Sequence, residues 1–187
     1  DPSRVYIERV IPRLGEFHTI MSFLSILGKR FGSGGLSDIW VQSEVVAVGS
    51  LNAALQGKHY NHAIRGHKVV YEALCRLLLE DFITSLSESD QTNLLTLADE
   101  LSTSYRENNP LMYDSQFTEF YSLFSDYVYN KAAANPTYRY WMSYLQMVQL
   151  LLAFIRASRL SDWDQHLNCI DNMIPWYFAY DRRNYAR

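Results

Sequence analysis

Apolar side chains recur three and four residues apart along most of the chain, the spacing of one face of a helix. Leu14, Phe17, Met21, Leu24 and Phe31 predict a first helix over about 16–31. Ahead of it, Val5, Ile7, Val10 and Ile11 before Pro12 suit a short strand or an extended lead-in. The run Gly32-Ser-Gly-Gly35 is expected to break the chain before a short helix over about 36–42. Ser50 has the chemistry of an N-cap for another short helix, which should stop at Gly57. A long helix follows over about 59–86, with Ile64, Tyr71, Leu74, Leu78 and Phe82 as its expected buried stripe.

Ser87-Glu-Ser-Asp90 is a polar break rich in capping residues, and the next helix runs to about 106, with Leu94, Leu97, Ala98, Leu101 and Tyr105 on one face. Asn108-Asn-Pro110 ends it. Phe117, Phe120, Tyr121, Phe124 and Val128 mark a helix over about 115–133. Asn135-Pro136 restarts the helix, with Asn as cap and Pro at the first helical position. The helix that follows, to about 159, is apolar on two faces: Tyr138, Trp141, Leu145, Val148, Leu152 and Ile155 on one, Tyr140, Tyr144, Met147, Leu151 and Phe154 on the other. Such a helix is either central to a domain or part of an oligomer contact. Ser161 is expected to cap a last helix carrying Trp163, Leu167, Ile170 and Ile174, and Pro175 to kink or end it. The fold class that results is all-α: a single globular domain over residues 1–187, of about eight helices, with one short extended segment near the N-terminus.

Hydrophobic types make up 48% and charged types 20%, a globular balance that needs neither disulfides nor metal to build a core. Aromatic content is high, with 14 Tyr, 9 Phe and 4 Trp, which suits a packed core and also a Tyr-rich interface. The formal charge of -3 advertises no global attraction to nucleic acid or anionic membrane, which leaves local basic patches to be sought. Cys75 and Cys169 fall within expected helices and are read as reduced, buried thiols of an intracellular protein, nuclear or cytoplasmic. Gln146 and Gln149 interrupt the longest apolar stretch, so no membrane partner is expected. Asp1-Pro2 and Tyr185-Ala-Arg187 resemble the edges of a piece of a larger protein.

The densest polar cluster runs from Lys58 to Lys68. On a helix Lys58, His62, Arg65, Glu72 and Arg76 share a face, and with Lys68 they form a candidate nucleic-acid-binding surface, set against a plain solvated helix face. His59 and His62 lack the further ligands a zinc site needs, so neither a metal nor another cofactor is expected. Glu16 and His18 open the first helix and are candidate acid/base residues, against the alternative that Glu16 simply complements the helix dipole. Gly32-Ser-Gly-Gly35 carries no Walker lysine and no dinucleotide fingerprint. No local signature unites Ser, His and Asp or Cys and His. Asp162 suits the first turn of the last helix. The closing Tyr180-Asp181-Arg182-Arg183-Asn184-Tyr185 joins charge to aromatics, either as a tethered tail or as a nucleic-acid contact.

Three blocks carry a resemblance: Arg13-Leu-Gly-Glu-Phe-His18 running into Met21-Ser-Phe and Leu27-Gly-Lys-Arg; Gly57-Lys-His-Tyr-Asn-His-Ala-Ile-Arg-Gly-His-Lys68 with Tyr71-Glu-Ala-Leu74; and Trp163-Asp-Gln-His-Leu167 with Pro175 to Arg187. Together they resemble a family of long multicopy proteins of animal genomes, of mobile-element origin, to which no activity is assigned. In longer relatives an Asp-Gln segment precedes the first block. If these proteins were ribonuclease-H-like transposases, that Asp would be the first metal-binding acid, and a chain beginning after it would be inactive alone. The expected function is therefore a helical interaction or scaffolding domain, with a protein partner or a second copy. One alternative is a nucleic-acid-binding domain using the basic face of helix 59–86. The other is an incomplete part of a ribonuclease-H-like transposase or nuclease, with Glu16, His18 or Asp181 as its catalytic candidates. No enzymatic activity is expected of this stretch by itself.

Overall fold

A computed structural model describes residues 15–106, 115–182, 184 and 185. The expected extended segment at 5–11 lies outside the described residues. Eight α-helices are present among them: α1 Glu16–Phe31, α2 Ser37–Gln42, α3 Val48–Leu55, α4 Tyr60–Ser85, α5 Glu88–Arg106, α6 Ser115–Ala134, α7 Pro136–Leu160 and α8 Trp163–Ala179. The fold is all-α. Contacts gather the chain into two compact units, one of Asp1–Val70 with Gln146–Arg187 and one of Tyr71–Leu145. Helices α4 and α7 each contribute to both.

In the first unit α1 is the organising helix. Its apolar face, Ile20, Phe23, Leu24, Leu27 and Phe31, is buried, and α3 and α8 pack against it. The approach of α3 is unusually close. A Cβ on Gly28 would lie 1.9 Å from the Leu55 carbonyl oxygen, so only glycine lets the two backbones meet. On α8, the buried Tyr177 hydroxyl donates to the Thr19 carbonyl at 3.0 Å, and its ring meets Phe23 edge-on with centroids 5.9 Å apart. The end of α7 completes this core with Met147, Val148, Leu151 and Phe154.

The Gly-rich run does interrupt the helix as expected, as a tight kink: Gly34 (φ -89°, ψ 16°) and Gly35 (φ 114°, ψ -16°) leave helical geometry between α1 and α2. Several other local expectations need correction here. Ser50 is not a cap, because α3 already starts at Val48. The cap of α8 is Asp162, whose carboxylate accepts from the Gln165 backbone N–H at 3.0 Å, while Ser161 sits at φ 56° as the left-handed residue of the turn. Helix α8 also runs through Pro175 to Ala179. Proline forfeits one backbone hydrogen bond, but buried Met173 and Tyr177 on either side anchor both halves. On α4, the buried positions within this unit are Ala63, Gly66, His67 and Val70, not Ile64. The Trp40 ring lies so close that a Cβ on Gly66 would stand 2.7 Å from its Cε2. Small residues, not large apolar ones, mark this contact.

In the second unit α5 packs against α6. Phe82 of α4 is buried and meets Phe124 and Tyr127 edge-on, at 5.2 and 5.4 Å. Leu97 is buried, whereas Tyr71, Leu74 and Leu78 of the expected stripe are only half-buried. Asn135 caps α7 as its sequence implies, its side-chain oxygen accepting from Thr137 N at 2.9 Å and Tyr138 N at 3.1 Å. Both cysteines are free thiols, Cys169 buried as expected and Cys75 only half-buried.

Candidate functional sites

A cleft of about 990 Å³ lies in the first unit. Three separate stretches of chain build it. Helix α1 supplies His18, Ser22, Ser25 and Lys29; α3 and the turn after it supply Asn52, Gln56 and Lys58; the segment after α8 supplies Asp181, Arg182, Asn184 and Tyr185. Each is held by local geometry. Gly57, at φ +73°, turns the chain beside α1 where a Cβ would stand 2.3 Å from the Met21 carbonyl oxygen, and Lys58 follows it. Asp181, at φ 54°, reverses the chain after α8. Arg182 N then donates to the Tyr177 carbonyl at 2.8 Å, and the Arg182 guanidinium donates from Nη2 to Ser25 Oγ at 2.5 Å. The Tyr185 ring lies 5.3 Å from that of Tyr177. Lys29 sits over the Tyr180 ring at 5.6 Å.

Three of the sequence candidates therefore share one cleft: His18, Lys58 and Asp181. Glu16 does not join them. It is the first residue of α1 and lines a separate, smaller cleft with Ser158, Asp162 and His166. Of the proposed basic face, His62, Arg65 and Lys68 are exposed on α4 within the first unit. Arg76 lies in the second unit, and its guanidinium is bound to Glu72 at 2.6 Å, which neutralises it locally. His59 and His62 stand edge-on, 5.8 Å apart, and among the described residues no three His, Cys, Asp or Glu gather to hold a metal ion. His67, within the polar run, is fully buried against Trp40, and burial holds its pKa down to about 3.

Two groupings escaped the sequence pattern. Ser158 Oγ and His166 Nδ1 meet at 3.3 Å across the turn between α7 and α8. His166 is buried between Phe154 and a stacked Trp163, and the Asp162 carboxylate beside it is engaged as the helix cap. This is a packed polar contact of a helical hairpin. The other grouping is in the second unit, where Asp81 accepts from the Tyr127 hydroxyl and from Lys131 at 3.2 Å. Those two hydrogen bonds lower the Asp81 pKa.

The second unit also carries an apolar groove of about 210 Å³, lined by residues of α4, α5 and α6 that include Leu79, Leu94, Leu101, Phe117, Phe120 and Tyr121. Of its lining, large apolar side chains reach solvent, Leu79 at 48% and Tyr121 at 63% exposure. Formal charge divides between the two units. The first holds thirteen Lys and Arg against nine Asp and Glu, +4; the second holds four against eleven, -7.

Among the described residues no helix is long and apolar enough to cross a membrane. No curated protein and no solved structure matches the chain. The model of one family, described as a domain of unknown function (DUF8702), matches residues 1–187, and the chain belongs to that family.

Proposed function

We propose that the chain is a helical protein-interaction domain whose second unit receives a cationic amphipathic helix from a partner protein. The observation that carries this is the apolar groove between α4, α5 and α6, bordered by exposed Leu79 and Tyr121 in a unit of formal charge -7. A groove of this kind accepts the apolar face of a helix, and the net negative charge of the unit favours basic residues on that helix's polar face. The test is binding of a synthetic Leu/Lys amphipathic helix, measured by fluorescence anisotropy, against a peptide of the same composition in scrambled order. The ordered peptide should bind more tightly by at least about tenfold, a difference of roughly 1.4 kcal/mol. Leu79→Asp and Tyr121→Asp, both at exposed positions, should abolish that preference. Equal binding of the two peptides would reduce the interaction to bulk charge and refute the groove. Concentration-dependent dimerisation that blocks the groove would replace the partner helix with a second copy.

A second function, nucleic-acid binding through Lys58, Arg65 and Lys68, is favoured by their exposure and by the +4 formal charge of the first unit. Its affinity should fall steeply with salt, because each phosphate neutralised releases counterions. The triple alanine variant should bind oligonucleotide more weakly with a shallower salt slope; unchanged affinity rules this surface out.

A further inference from the structure

We propose that the large cleft of the first unit is a binding site for a small organic phosphate, with Lys29, Lys58 and Arg182 as the groups that contact its anionic end. Among the described lining residues, three cations from distant parts of the sequence share the cleft with one carboxylate, Asp181. None of the three is paired with a carboxylate among the described residues. Cations lining one cleft give it a positive potential, which favours an anion inside it. The Arg182 side chain is held at the cleft by its Nη2 hydrogen bond to Ser25 Oγ, and its planar guanidinium suits a phosphate oxygen pair.

The remaining lining sets the size and character of the ligand. A volume of about 990 Å³ is at the upper end of ordinary small-molecule pockets and far more than inorganic phosphate needs. Apolar surface from Met21, Leu55 and the Tyr185 ring lies beside the cations. An anion alone leaves that surface unused, whereas a phosphate attached to a flat or apolar body covers it. A nucleotide has this form. The site is in the other unit from the apolar groove; it shares Lys58 with the nucleic-acid surface but not Arg65 or Lys68, so the Lys29 and Lys68 variants tell the two apart.

Isothermal titration of the full chain with pyrophosphate, with ATP and with a short single-stranded oligonucleotide tests the proposal. ATP should bind more tightly than pyrophosphate, because only ATP covers the apolar wall. Lys29→Ala and Lys58→Ala, both at exposed positions, should each weaken ATP binding by about tenfold, the loss expected for a charge-assisted phosphate contact. Lys68→Ala, exposed on the same unit but outside the cleft, should change it by less than about twofold. Arg182→Lys keeps the charge and loses the planar fork; with helical content unchanged by circular dichroism, it too should weaken binding. Absence of binding by both pyrophosphate and ATP at millimolar concentration overturns the proposal. So does equal weakening by Lys68→Ala, which reduces it to diffuse surface charge. Binding of the oligonucleotide alone, dependent on Arg65 and Lys68, also overturns it and transfers the phosphate chemistry to the α4 face.

Discussion

The contact between α1 and α3 makes Gly28→Ala the most exacting test of the first unit. A Cβ at this position would stand 1.9 Å from the Leu55 carbonyl oxygen, 2.7 Å from its carbon and 2.8 Å from its Cα. Ordinary van der Waals separation for such a pair is more than an ångström longer, and the obstacle is backbone, which has no rotamer to escape into. Helix α3 must therefore move away from α1. That opens space around Leu24 and Leu27, which are fully buried in the present packing. Overpacking of this kind costs about 1–3 kcal/mol, and a backbone obstacle places it at the upper end. Against it stands the helix propensity of alanine, worth about 1 kcal/mol over glycine. The net expectation is a loss of roughly 2 kcal/mol. Gly49 is the matched control: it lies in α3 with nothing within 4 Å of its would-be Cβ. Gly49→Ala should be neutral or stabilising by up to about 1 kcal/mol. Urea unfolding followed by circular dichroism, with the slope compared between variants, measures both. Gly28→Ala as stable as the parent would refute the close approach of α1 and α3.

Two further outcomes test single side chains. His67 is held neutral by burial, its pKa about 3 against an ordinary 6.5, so the unfolded chain binds a proton below pH 6.5 that the fold refuses. This contribution to stability is fully present above that pH and is lost as pH falls toward 3, at a limiting slope of about 1.4 kcal/mol per pH unit. His67→Gln should flatten the acid limb of the stability profile, whatever it does to stability at neutral pH, and an acid limb of unchanged slope would show that His67 is not buried neutral. At the start of α8, Asp162→Ala should lower the thermal midpoint by the equivalent of about 1 kcal/mol, the usual worth of an N-cap, while Ser161→Ala should leave capping intact. A larger loss from Ser161→Ala would reverse the assignment of the cap.

What was legible from sequence follows from how far along the chain each physical signal reaches. Helical periodicity, Asn135 before Pro136 and the polar break at Ser87–Asp90 act within one or two turns, and the helices they imply agree with α4 to α7 to within a residue or two. The errors fall where two local rules compete or where a distant contact decides. Ser161 and Asp162 are both acceptable caps by type, and the left-handed backbone at Ser161 makes Asp162 the one that reaches the Gln165 N–H. Pro175 signals an end, but Tyr177 beyond it is tied to Thr19, 158 positions away in sequence. Ile64 reads as core by hydrophobicity, yet Gly66 and His67 are buried because the Trp40 ring occupies that side of α4.

By itself, then, the sequence determined that the chain is helical and where most helices start and stop. Those properties depend on neighbours three or four residues apart. Tertiary structure alone decided that Lys29, Lys58 and Arg182 share one cleft, and that the basic run is split between exposed Arg65 and Lys68 and a buried His67. It also decided that an even-looking formal charge of -3 divides into a basic unit and an acidic one. Each of these depends on which segments fold back on one another, through close backbone approaches at Gly28 and Gly57 and one hydrogen bond from Arg182 to Ser25. Contacts between residues so far apart leave no periodic trace along the chain.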